Sequence, residues 1–123
     1  MNPATLDVIL RRFEEPDEIR EMPKGRFELV RIGGLTIGRA TYRPGWKWSQ
    51  HVGASLGQTS CHVEHVGMVV SGCATAAMDD GRIIEMRAGD IFYIPPGHDS
   101  WVVGDEPYVS LHLLGAQDYA AHD

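Results

Sequence analysis

The 123-residue chain, about 13.6 kDa, has room for one domain, and its 43% hydrophobic and 23% charged residues exclude disorder and fibres. Eleven Lys and Arg against seventeen Asp and Glu leave a net charge of −6, which argues against nucleic acid or an anionic membrane as partner. No apolar run approaches the ~20 residues of a membrane span, and Cys61 and Cys73 form neither a CxxC pair nor a disulfide framework.

The opening stretch MNPATLDVILRRFEE lacks a basic leader region, and Asp7 interrupts its apolar residues, so a secretory signal is not expected and a cytoplasmic location is. Leu6, Ile9, Leu10 and Phe13 have helical spacing, while Val8 to Leu10 also suits a strand. The reading adopted is a short strand from Val8 to Phe13 and a turn from Pro16 to Glu21. Next, Gly33-Gly34 separates FELVRI from LTIGRATY, the signature of a tight hairpin. Pro44-Gly45 breaks the chain before WKWSQHV, and a polar, Gly-rich loop covers Gly53 to Ser60. An uncharged stretch then runs from His65 to Met78, and Asp79-Asp80-Gly81 turns it into RIIEM. Gly89-Asp90 leads into IFYIP, Pro95-Pro96-Gly97 turns again before SWVV, and YVSLHLL closes the series at Gly115. Turn signals every ~8–12 residues without a long helical period predict an all-β sandwich or barrel.

Several segments carry a resemblance. GDIFYIPPGHDSW, Gly89 to Trp101, resembles the second conserved motif of the cupin superfamily. Gly45 followed by His51, together with a strand ending at Ser71-Gly72, looks like the two ends of the first cupin motif. PGWKWSQH, the stretch from Cys61 to Gly72, and HDSWVVGDEP are similar to small one-domain bacterial cupins. The resemblance implies a double-stranded β-helix, the jelly-roll or cupin barrel, over residues 26–115, with an N-terminal arm or strand at 1–25 and a tail at 116–123. It fixes no activity, since one scaffold hosts many chemistries.

What the resemblance implies for the site is partial. The first ligand position is His51, its usual partner position is Gly53, the Glu position is His65, and the final His position is Ser100. His98 stands two residues before Ser100, on the same strand face; by the same alternation Cys61 shares a face with His65, while His62 and Glu64 point to the other. His51, His65 and His98 are therefore the expected metal ligands, with Cys61, Ser100 and His112 as a fourth ligand or pocket residues. Three histidines suit a divalent transition metal, and a cysteine favours a softer ion such as zinc or iron, with manganese, nickel and copper as alternatives. A buried histidine is equally a hydrogen-bonded core residue, as in a metal-free cupin. The expected function is a metal-binding cupin that binds or transforms a small organic molecule in its cavity; if it is an enzyme, it is metal-dependent, dioxygenase- or isomerase-like. No catalytic residue is assigned. The alternative is a non-catalytic ligand-binding or sensory cupin without metal. A homodimer through the N-terminal strands and one sheet face is expected, since Val8, Leu10 and Phe13 need a covering surface.

Overall fold

The structure, a computed structural model, describes residues 7–120. Among the described residues there are nine strands: β1 (Glu18–Met22), β2 (Gly25–Ile32), β3 (Leu35–Tyr42), β4 (His65–Ser71), β5 (Cys73–Met78), β6 (Ile83–Arg87), β7 (Ile91–Ile94), β8 (His98–Val103) and β9 (Tyr108–Leu114). Two short helices, α1 (Trp48–His51) and α2 (Gly53–Leu56), lie between β3 and β4. The strands form a six-stranded sheet in the order β1-β2-β3-β9-β4-β7 and a three-stranded sheet in the order β6-β5-β8. All pairings are antiparallel. Among the described residues no helix is long and apolar enough to cross a membrane.

The expected turns form, for local reasons. Gly33 and Gly34 both take positive φ, 58° and 80°, which a two-residue hairpin with the right twist requires and which a side chain resists. The Asp79-Asp80-Gly81 turn closes on hydrogen bonds from Met78 N to Arg82 O (2.8 Å) and from Gly81 N to Met78 O (2.9 Å). At Gly72 (φ 79°) the chain passes from one sheet to the other, and a Cβ there would meet the Pro107 carbonyl. The uncharged stretch from His65 is thus two strands, the first ending at Ser71 as the sequence indicates.

Alternation does the rest. Phe27 and Leu29 of β2, Ala40 and Tyr42 of β3, Val69 of β4 and Tyr108 of β9 are buried, as are Ala74 and Ala76 of β5, Met86 of β6 and Val102 of β8. β5 thus presents Ala74 and Ala76 where larger side chains would fill the space, and the barrel keeps a hollow.

Two expectations fail. The strand at Val8 to Phe13 does not form: residues 8–12 have no regular structure, with Val8 and Leu10 86% and 90% exposed, while Phe13 lies beneath the Arg39 guanidinium. The part of the helical reading that rests on Leu6 lies outside the described residues. Instead of a turn from Pro16 to Glu21, Glu18–Met22 is an edge strand paired with β2, so the sheet begins within the arm assigned to residues 1–25. Its half-buried side carries Glu18, Arg20 and Met22. Apolar alternation cannot find a strand whose covered face is charged. Within the tail, Ala116, Tyr119 and Ala120 are buried, and Arg20 donates to the carbonyls of Ala116 (3.2 Å) and Tyr119 (2.6 Å).

Candidate metal centre and cavity

Backbone pairing brings Cys61 to His98. The Cys61 N–H donates to the His98 carbonyl (2.6 Å), and the N–H groups of Gly97 and His98 donate back to the Cys61 carbonyl (2.8 and 3.2 Å). His65, the first residue of β4, pairs with Ile94 and faces inward. Cys61 Sγ stands 3.7 Å from His65 Nε2, and one donor atom from each of Cys61, His65 and His98 lies within 4.8 Å of the others. All three side chains are buried.

The donor set fits a metal ion. With metal–ligand bonds of about 2.0–2.3 Å at tetrahedral angles, two ligand atoms stand roughly 3.3–3.6 Å apart, close to the Cys61–His65 separation. His98 Nδ1 lies 2.8 Å from the Pro95 carbonyl, a contact only an N–H can satisfy, which leaves the Nε2 lone pair for an ion. His65 Nδ1 is buried without a partner.

The environment keeps the imidazoles neutral. Burial, reinforced by His112 and His98, pushes the His65 pKa down to about 2, and burial alone pushes His112 to about 4. His98 is lowered as well, chiefly by burial and against the opposing pull of the Pro95 carbonyl and nearby aspartates. Burial also pushes the Cys61 thiol up to about 11, so it stays protonated until a cation displaces the proton.

The other expected residues are placed differently. His51 does not join the cluster. It lies on α1, half-buried, where Nδ1 accepts the Lys47 N–H (2.9 Å), and it borders a surface depression with Glu21 and Met22. The cause is the local fold: WSQH coils into a helical turn that buries Trp48, and Asp99 holds that turn by accepting the Ser49 N–H (3.0 Å) and O–H (2.8 Å). A position expected on a strand therefore faces away. His112 lies next to His65, ring centroids 5.2 Å apart, with Nε2 3.0 Å from Ser110 Oγ. Ser100 lines the cavity. His62 and Glu64 are exposed, as alternation indicates.

The cavity, about 50 Å³, is bordered by His65, His98 and His112, by Tyr42, Trp46, Trp48, Tyr108 and Tyr119, by Ser100 and Ser110, and by apolar side chains from both sheets. Tyr119 was not legible from the motifs. Its hydroxyl is 2.5 Å from that of Tyr42, and its ring lies 5.2 Å from His65 and 4.8 Å from Phe27. An aromatic residue shortly after Gly115 was the only available signal.

Neither a known family profile nor a curated protein matches the sequence. Solved structures do match the fold. A protein of unknown function from Rhizobium leguminosarum bv. viciae 3841 is 18% identical with a TM-score of 0.62, over 88% of this chain and 96% of that one. An uncharacterised protein with a double-stranded β-helix domain from Klebsiella pneumoniae is 18% identical with a TM-score of 0.55, over 77% and 79% of the two chains. The oxalate decarboxylase of Bacillus subtilis, which has Mn(II) centres, is 23% identical with a TM-score of 0.58 over 84% of this chain. This chain spans only 29% of the decarboxylase. The likenesses establish the double-stranded β-helix fold, the one that the cupin-like segments imply.

Proposed function

We propose that this protein is a metal-binding cupin that holds a divalent transition metal on Cys61, His65 and His98 and binds a small organic molecule in the adjoining cavity. The observation that carries the reading is the convergence of three buried donors within 4.8 Å: His65 and His98, which border the cavity from the two sheets, and Cys61, bridged to His98, with His98 oriented by the Pro95 carbonyl. The cysteine favours iron or zinc over harder ions. When bound, such an ion would supply a Lewis acid, or a redox centre if it is iron, beside the cavity. The chain's own residues position the ligands: the Cys61–His98 backbone bridge fixes two of them, and β4 delivers the third.

A second reading, a binding or sensory module without turnover, is favoured by the lining. Among the described residues that border the cavity there is no carboxylate, lysine or arginine to serve as a general base or acid of adjusted strength. We propose, too, that the chain forms a homodimer through the outer face of the six-stranded sheet, where Met68, Ile91, Tyr93 and Leu113 are exposed.

The test is elemental analysis of untagged protein after reconstitution with iron, zinc, manganese, nickel and copper in turn. About one equivalent of iron or zinc is expected, falling sharply in His65→Ala and Cys61→Ser but not in His51→Ala. A metal-free wild type, or full occupancy in both ligand variants, refutes the reading.

A further inference from the structure

The polar groups that border the cavity are unbalanced. Trp46 and Trp48 are each 2% exposed, both border the cavity, and the Nε1–H of each is sealed from solvent without a protein acceptor. An indole N–H only donates, and a buried donor without an acceptor is costly. The phenols of Tyr42 and Tyr119 share one hydrogen bond at 2.5 Å, which occupies one of their two O–H groups and leaves the other free to donate. Up to three donors thus border a space that Ser100, Ser110 and His112 also line, together with apolar side chains such as Ala74, Ala76 and Ile94. A molecule rich in acceptor oxygens satisfies them; an amine or ammonium does not.

Charge narrows the class. A divalent ion with one thiolate and two neutral imidazoles carries a net charge of +1, and no lysine or arginine borders the cavity among the described residues. One negative charge cancels that excess, whereas a dianion or a cation leaves an unpaired charge in a buried site. Size narrows it again. A cavity of about 50 Å³ exceeds the ~10–15 Å³ needed by one water, and takes a molecule of only a few non-hydrogen atoms.

We infer that the cavity is a site for a small monocarboxylate, its oxygens taking the indole N–H groups of Trp46 and Trp48 and its charge met by the ion on Cys61, His65 and His98. This rests on the metal reading above. Trp101, the third tryptophan, does not border the cavity; its ring lies beneath the Lys47 ammonium at 5.4 Å, and it serves as an internal control.

The experiment follows the three indole N–H resonances of ¹⁵N-labelled protein loaded with zinc, whose stoichiometry is first measured by elemental analysis. Sodium acetate is titrated, with acetamide and methylammonium chloride as neutral and cationic comparators. Saturable shifts of the Trp46 and Trp48 resonances are expected with acetate, with the Trp101 resonance stationary and the comparators at least about tenfold weaker. Trp46→Phe and Trp48→Phe keep an aromatic ring and remove the donor. Each is expected to weaken acetate binding about tenfold or more, the worth of a hydrogen bond to a charged group, and Trp101→Phe to leave it unchanged. Retention of zinc with stationary indoles, or equal shifts from acetamide, overturns the inference and leaves the metal reading standing. Failure to retain zinc or any other of the five metals overturns the metal reading, and the inference with it.

Discussion

His65 and His112 make the metal-free protein sensitive to mild acid. Both are buried, and burial holds their pKa values at about 2 and about 4, against ~6.5 in the unfolded chain. Above pH 6.5 both states are neutral and the fold carries no penalty. As the pH falls below that value the unfolded chain takes up protons that the folded one refuses, and stability is lost until the folded pKa is reached. Between pH 7 and pH 5 the unfolded histidine gains about 1.4 pKa units of protonation free energy, or about 2 kcal/mol for each residue at 1.36 kcal/mol per unit. The two together cost about 4 kcal/mol, a large share of a typical 5–15 kcal/mol stability. His98, lowered in the same direction, adds to it. The carboxylates held low by arginine partners, such as Glu18 beside Arg20 and Arg31, give up most of their contribution below this window. Urea unfolding at pH 7 and pH 5, with a chelator present, measures the loss. His112→Leu is expected to remove about half of it, whatever the variant's own baseline stability. An equal loss in variant and wild type, or no loss in either, refutes the argument.

Other expectations are simpler to check. Tyr119→Phe deletes the hydroxyl that meets Tyr42 at 2.5 Å and is expected to cost about 1 kcal/mol. For 123 residues that is a fall in Tm of about 4 °C by calorimetry, and an unchanged Tm contradicts it. Arg20→Ala releases the carbonyls of Ala116 and Tyr119. Amide exchange should quicken at residues 116–120 with the β2–β3 hairpin unaffected, and exchange rates that do not move at 116–120 refute the latch. Light scattering at micromolar concentration is expected to give the mass of two chains, reduced to one by Ile91→Asp; a wild-type mass of one chain excludes the dimer.

Turns were legible because a turn is a local property. Gly33-Gly34, Asp79 to Gly81 and Pro95-Pro96-Gly97 each act on the residues beside them, and the strands between them follow from alternation. The same alternation placed Cys61 and His65 on one side and His62 on the other, although residues 62–64 are not a strand. His51 is not legible because its motif position does not fix its geometry: Trp48, three residues before it, buries itself by coiling the chain into α1. β1 and Tyr119 lie beyond local reasoning. The covered face of β1 is charged because Arg20 binds carbonyls ninety-six residues and more away, and Tyr119 meets Tyr42 across a separation of seventy-seven. Nothing in either neighbourhood announces such a partner.

The most direct test of the metal centre is the absorption spectrum of the protein titrated with cobalt(II). A site made of Cys61, His65 and His98 gives a near-ultraviolet thiolate-to-cobalt band that saturates at one equivalent and disappears in Cys61→Ser. Cobalt bound without that band, or a band that survives in Cys61→Ser, contradicts the assignment.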